Sequence, residues 1–260
     1  MDAEVKERIN LLKIPLDIVS PEQLTGVIYE LLGDPESREG KNIVLLSLWD
    51  LLRARRNTEY RTFVQNAALV IPISRSLVRG ARFLTGKTPV RYMPFNFVVS
   101  LLSILEKREF SLYLLGGRTG VLKKTEKNIR QTFPRLHIVG RYVGTFKKQD
   151  EKTILEAIRK AAPSLLLVGR GIRAGEFWIA RNSPRLSRGF RLWCSDLFDV
   201  FAERTRRPSD AVFERGLEWI GFCFRNPLRF FRFFLYLYYQ FLLIIYKIFR
   251  SRLPAARQNR

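Results

Sequence analysis

The sequence predicts an α/β domain in which a sheet is flanked by helices, with a basic, aromatic helical tail appended. Three observations predict it. Short apolar, β-rich runs alternate along the chain with stretches of helical length and periodicity. Two of these runs end in glycine-rich turns, the form of a strand-to-helix connection at the edge of such a sheet. The chain has 260 residues, 47% of them hydrophobic, enough to bury the core of one domain with length left for an appendage.

Taken in order, Ile9 to Ile18 reads as the first strand. Ser20-Pro21-Glu22-Gln23 then supplies a capping residue, Pro at the first helical position and an acid in the first turn, so a helix starts before Leu24 to Leu32. Gly33-Asp34-Pro35 ends it. Strands follow at Asn42 to Leu48, Ala68 to Ile73, Ser111 to Leu115, His137 to Val143, Leu165 to Val168 and Phe190 to Trp193. Helices are read at Leu48 to Asn66, Pro94 to Lys107, Thr119 to Phe133, Gln149 to Ala161 and Gly175 to Asn182, each of a length that packs across a sheet. No internal repeat or low-complexity linker interrupts this order, so residues 1–224 read as one domain and 225–260 as a tail.

Leu114-Leu115-Gly116-Gly117-Arg118-Thr119-Gly120 closes one strand and opens a helix, and Leu167-Val168-Gly169-Arg170-Gly171 closes another. Glycine lets backbone N–H groups approach a phosphate, and a following helix N-terminus adds a favourable dipole. Both loops are therefore candidates to hold a nucleotide diphosphate, Gly116, Gly117, Gly169 and Gly171 being the residues concerned. They also fit plain tight turns, since neither carries the Lys-Ser or Lys-Thr of a P-loop nor a full dinucleotide fingerprint.

Forty-six Lys and Arg against 24 Asp and Glu give a net charge of +22, which calls for polyanionic partners: phosphates, acidic lipids or nucleic acid. The single histidine, His137, and two cysteines, Cys194 and Cys223, are too few for a four-ligand zinc site of Cys and His within one chain. No metal or cofactor is expected, and the cysteines read as reduced, buried thiols of a cytoplasmic protein. Met1 to Arg8 is charged and followed by no long apolar run, so no signal peptide is expected.

The tail differs from the body. Arg225 to Arg260 holds eight basic residues and no acidic one, and Phe233 to Tyr246 is a fourteen-residue apolar, aromatic run broken only by Gln240. That is short of the ~20 residues a bilayer-spanning helix needs. Basic residues flank both ends, so the run reads as an interfacial helix with rings at headgroup depth and arginines on anionic lipid, or else as a helix packed on protein.

Several segments in this order resemble the WecG/TagA/CpsF family of bacterial glycosyltransferases, over roughly Ile9 to Phe233. They are Leu114-Leu115-Gly116-Gly117, Phe133-Pro134-Arg135-Leu136-His137-Ile138-Val139-Gly140, Leu166-Leu167-Val168-Gly169-Arg170-Gly171, and Glu176-Phe177-Trp178-Ile179. Phe198-Asp199-Val200-Phe201-Ala202, Arg207-Pro208, Gly216-Leu217-Glu218-Trp219 and Asn226-Pro227-Leu228-Arg229-Phe230-Phe231-Arg232 continue it. The resemblance implies a single Rossmann-like domain and transfer of N-acetylmannosamine or a related sugar from a UDP donor to a polyprenyl-diphosphate-linked acceptor. The basic aromatic tail on a cytoplasmic body leads us to expect a peripheral place on the inner face of the cell membrane, and the resemblance further implies a homo-oligomer. Carried over onto matching positions, it marks Glu176, Arg207, Arg229 and Arg232 as substrate-binding residues, with the arginines near the donor diphosphate.

Metal-free transfer needs a base for the acceptor hydroxyl and fixed positive charge for the leaving diphosphate. Here the sequence departs from the family. Leu45-Leu46-Ser47 stands for its Thr-x-Asn, and Pro72-Ile73-Ser74 for its Pro-Asp-Gly, so Ile73 replaces the carboxylate proposed as base. Arg173-Ala174-Gly175-Glu176 keeps only the acid of Pro-Lys-Gln-Glu, and Val90 to Asn96 replaces Glu-Arg-x-x-Gly-x-Asp while keeping Arg91. Asp50 is the nearest carboxylate to take over. Asp199 and Glu218 are further carboxylates for the pocket. Two readings follow: a transferase with a rearranged site, or a non-catalytic membrane-associated scaffold that retains the fold. Nucleic-acid binding rests on charge alone, without a motif.

Overall fold

The computed structural model describes residues 6–33, 40–186, 189–207, 209–215 and 232–251. Its centre is a six-stranded, wholly parallel sheet. The strands are β3 (Lys41–Leu46), β4 (Leu69–Pro72), β5 (Ser111–Leu115), β6 (His137–Tyr142), β7 (Leu165–Gly169) and β8 (Phe190–Ser195), in the order β4-β3-β8-β7-β5-β6. β7, in the middle, is buried along its whole length, which is why it reads as an unbroken apolar run.

Ahead of the sheet lies a hairpin where one strand was expected from Ile9 to Ile18. β1 (Glu7–Leu11) pairs antiparallel with β2 (Ile14–Ile18), and the chain reverses at Leu12 and Lys13, both at positive φ, +52° and +70°. Two consecutive left-handed residues make the two-residue turn whose twist suits a hairpin. This hairpin covers the edge of β4. The buried Asp17 carboxylate accepts the outward Val70 N–H at 2.6 Å and is paired with Arg8 at 2.7 Å.

One face of the sheet carries the hairpin, α2 (Leu48–Arg56), α3 (Thr58–Gln65), α4 (Arg75–Thr85), α7 (Glu151–Ala161), α8 (Glu176–Asn182) and α11 (Arg232–Ser251). The other carries α1 (Pro21–Gly33), α5 (Pro94–Glu106), α6 (Thr119–Thr132) and α9 (Leu197–Phe201). Each face closes its own apolar core, and a short helix α10 (Asp210–Arg215) follows α9. The single helix expected from Leu48 to Asn66 is two. Asn57 turns extended, donates its N–H to the Arg53 carbonyl at 2.9 Å and caps the Tyr60 N–H with its side chain at 2.8 Å. The sequence reading also missed α4, whose apolar stripe of Leu77, Ala81 and Leu84 is interrupted by arginines and Gly80.

All six strands are parallel, so their C-terminal ends, and the loops after them, lie along one edge. The chain leaves β5 for α6 on one face and leaves the adjacent β7 for α8 on the other. That divergence opens the crevice in which such sheets bind ligands. Both glycine turns flank it, at the shared edge the sequence implied.

Candidate functional site

The two glycine turns touch. A Cβ at Gly116, where φ is +139°, would stand 2.7 Å from the Gly169 backbone nitrogen. No side chain fits there, and the glycines are required by backbone packing whatever the loop binds. Gly116 donates its N–H to the Tyr142 carbonyl at 2.9 Å and Gly117 to the Arg170 carbonyl at 2.6 Å, so both donors are engaged within the protein. Gly144, after β6, donates to the Gly117 carbonyl at 2.9 Å and ties a third loop into the same edge. Gly171 is exposed at φ +99°. Arg118 and Arg173 stand exposed on these loops, and Arg170 pairs with Asp196 at 2.6 Å.

A second group of residues assembles where β3 and β4 end. Ser47 and Asp50 form a capping box at the start of α2: the Ser47 hydroxyl donates to the Asp50 carboxylate at 2.5 Å and the Ser47 N–H donates at 3.1 Å. The Ser74 hydroxyl accepts the Leu48 N–H at 3.1 Å and links the two strand ends. One turn along α2, Arg53 donates to Asp50 Oδ1 at 3.1 Å and, with the same nitrogen, to Glu176 Oε2. The Tyr60 hydroxyl donates to Glu176 Oε1 at 3.1 Å, and the Arg53 guanidinium lies 3.8 Å above the Tyr60 ring centre. Asp50 and Glu176, the acids singled out from sequence, are thereby brought together on one guanidinium.

Burial, reinforced by the negative charge of Asp50, pushes the Glu176 carboxyl up to about 7, against the opposing pull of Arg53 and Tyr60. Tyr60 is fully buried and raised above its ordinary range, so it remains a donor. Arg53 and Tyr60 escaped the sequence reading because Glu176 lies 123 and 116 positions away.

Other anticipated residues are dispersed. Arg207 is exposed and donates to Asn96 Oδ1 at 2.8 Å. Asp199 stands 3.9 Å from Arg204. Arg91 donates to the Ile73 carbonyl at 3.0 Å and the Phe213 carbonyl at 2.7 Å, fastening α10 beside the position of the lost carboxylate. Arg229, Glu218 and Cys223 lie outside the described residues, and Arg232 enters only as the first residue of α11. Cys194 is buried with its thiol raised by burial.

The family model described as Glycosyl transferase WecG/TagA/CpsF family matches residues 9–257 of this chain. The chain belongs to the WecG/TagA/CpsF glycosyl transferase family. Among its relatives, a protein of Bacillus spizizenii strain W23 is 22% identical over 214 residues, covering 82% of each chain. It is named N-acetylglucosaminyldiphosphoundecaprenol N-acetyl-beta-D-mannosaminyltransferase. A Bacillus subtilis strain 168 protein of the same name is 22% identical over 176 residues, 68% of each chain. Within this WecG/TagA/CpsF framework, the end of β4 is occupied by Ile73 and the strand-end hydroxyls by Ser47 and Ser74.

No helix among the described residues is long and apolar enough to cross a membrane. α11 instead docks by one face: Tyr239 and Leu243 are buried in the core beneath α4. Its outward face exposes Phe233, Phe234, Leu237, Tyr238, Phe241, Ile244, Ile248 and Phe249.

Proposed function

We propose that this protein transfers N-acetylmannosamine or a related sugar from a UDP donor to a polyprenyl-diphosphate-linked acceptor in cell-surface polysaccharide synthesis. One observation carries the reading: the edge that gathers the glycine turns also gathers exposed arginines and the Asp50–Arg53–Glu176 carboxylate pair. A diphosphate leaving group requires positive charge fixed where its own charge develops. Arg118 at the start of α6, Arg170 and Arg173 are placed to meet that need, and the family resemblance assigns Arg207, Arg229 and Arg232 to the same ligand. With the Gly116 and Gly117 N–H groups engaged in the protein and Gly169 buried at the end of β7, the donor contacts fall to these cations and to Gly171 rather than to a full N–H cradle.

The chain further works at the inner face of the cell membrane, with residues 225–260 acting as a membrane-associating tail on the 1–224 body and with copies assembling as a homo-oligomer. The outward stripe of α11 supports the membrane contact, and the basic character of the tail suits anionic lipid. The alternative, a non-catalytic scaffold, is favoured by Ile73, which accepts no proton.

Calorimetric titration with UDP and with UDP-N-acetylhexosamines decides between them. Binding weakened by Arg229→Ala or Arg232→Ala, each contact being worth ~1.5–3 kcal/mol, supports the donor reading. Absence of any binding favours the scaffold.

A further inference from the structure

Resting on the transferase reading of this site, we propose that Asp50 and Glu176, sharing Arg53, act as one proton acceptor in place of the carboxylate missing at Ile73. Asp50 is the catalytic residue that meets the acceptor hydroxyl. Glu176 is a positioning residue that acts through Arg53.

The geometry sets these roles. Asp50 lies in the first turn of α2 with its side chain 22% exposed, whereas Glu176 is 11% exposed; both oxygens of each carboxylate accept hydrogen bonds. Ser47 fixes Asp50 Oδ2 and Arg53 fixes Oδ1, so the carboxylate is held in one orientation beside the strand-end hydroxyls. Carboxylate oxygens have further lone pairs, and those of Asp50 are the ones a substrate reaches.

Charge counting shows why a pair is needed. A carboxylate with a guanidinium to itself is a poor base, because the ion pair favours the ionised form. Here two carboxylates share one guanidinium, leaving one net negative charge in the cluster and room for one proton. The step balances. Asp50 takes the proton of the acceptor hydroxyl while that oxygen bonds to the anomeric carbon, and the bond from this carbon to the diphosphate oxygen breaks with its electron pair leaving on the diphosphate. Arg53 keeps its own protons throughout. As Asp50 becomes neutral, Arg53 turns to Glu176 and neutralises it, so the cluster ends uncharged. Tyr60 and Phe177 pack against Arg53 and hold its guanidinium over the Tyr60 ring, while the Arg53 side chain keeps 40% exposure. Burial and the neighbouring Asp50 charge raise the Glu176 carboxyl to about 7, in keeping with the close contact of the two acids.

The test uses the full chain with UDP-N-acetylmannosamine and an N-acetylglucosaminyl-diphosphate lipid, following kcat against pH, UDP affinity and the carbon-13 signal of the Glu176 carboxyl. Asp50→Asn is expected to lower kcat by ~100-fold or more while UDP affinity stays within about threefold. Glu176→Gln is expected to move the acidic limb of the kcat profile by about one pH unit or more, an effect a purely structural ion pair does not produce. In Asp50→Asn the Glu176 titration falls from near 7, since a like charge has been removed. Both variants are nearly isosteric, and circular dichroism serves to check their fold. The proposal is overturned if Asp50→Asn keeps kcat within about threefold, if Glu176→Gln lowers kcat with the limb unmoved, or if the Glu176 titration ignores Asp50. A wild-type chain that binds UDP without turnover overturns the transferase reading and this proposal together, whereas turnover that persists in Asp50→Asn overturns this proposal alone.

Discussion

Tyr239 of α11 lies across Gly80 of α4, where any Cβ would overlap its hydroxyl, and that hydroxyl donates to the Ser76 carbonyl at 3.0 Å. Glycine costs helix stability in α4, yet here it admits an aromatic ring that is fully buried. Leu243, one turn further along α11, packs beside it against the same glycine. The tail helix is thus fitted to the body at one defined place.

Gly80→Ala is expected to push α11 off α4. Overpacking of this kind costs ~1–3 kcal/mol. Amide exchange should speed in α11 while the strands of the sheet stay protected. Tyr239→Phe, which removes only the hydrogen bond, is expected to cost ~1 kcal/mol in thermal unfolding and to leave α11 docked.

A second fastening holds α10. Arg91 donates to the Phe213 carbonyl and lies 3.7 Å over the Phe213 ring, while Arg75 donates to the carbonyls of Glu214 at 3.2 Å and Arg215 at 2.6 Å. Cations placed on the last carbonyls of a helix satisfy groups that have no partner within it. Combined Arg75→Ala and Arg91→Ala should therefore open this segment. Limited trypsin digestion at Arg215 should accelerate by ~10–100-fold, the equivalent of ~1.5–3 kcal/mol, with the body intact.

Glu176 gives stability a pH dependence of defined sign. Its carboxyl is raised from 4.5 to about 7 in the folded chain, so between those values the folded state holds a proton that the unfolded state has released. Stability from this group is fully present at the acid end and falls as pH rises through about 7. The slope it adds is at most ~1.4 kcal/mol per pH unit. Denaturant unfolding at several pH values should show wild type losing stability over this window relative to Glu176→Gln. Parallel curves for the two proteins would exclude the assignment.

These relationships explain what was and was not legible in the sequence. Strands such as Leu165–Gly169 are buried on both faces and announce themselves as apolar runs. The hairpin did not, because its turn uses Leu12 and Lys13 rather than glycine or asparagine. Asn57 ended a helix that apolar spacing alone carried through to Asn66. At the site, spacing located the glycine turns but not the fate of their N–H groups, which are taken by carbonyls of Tyr142 and Arg170 from other loops. The Arg53–Glu176 pair joins residues far apart in sequence, beyond the reach of any local pattern. The tail was aromatic on all sides, so its sequence did not distinguish packing from exposure, and α11 does both.

The outward face of α11 supplies the remaining prediction. Phe234, Leu237, Phe241, Ile244 and Ile248 follow one another at helical spacing and are 45–60% exposed, with Phe83 of α4, 44% exposed, beside Lys247. An apolar stripe of this size is unusual on a free surface, and the chain bearing it carries a net charge of +22, which attracts anionic lipid. Each ring or branched side chain that enters the lipid boundary contributes ~1.5–3 kcal/mol when fully buried, less when half buried. Phe241→Ser with Ile244→Ser should therefore weaken flotation with anionic liposomes by tenfold or more, on the order of 1.4 kcal/mol per tenfold. The melting temperature should change little, because neither side chain belongs to the core beneath α4. Raising salt from ~0.1 to ~1 M shortens the Debye length from ~10 to ~3 Å and should remove the electrostatic part of binding while the apolar part persists. If the double variant floats as well as wild type, the stripe does not meet lipid. A concentration-dependent dimer in sedimentation that these same substitutions abolish would assign it to a second copy of the chain.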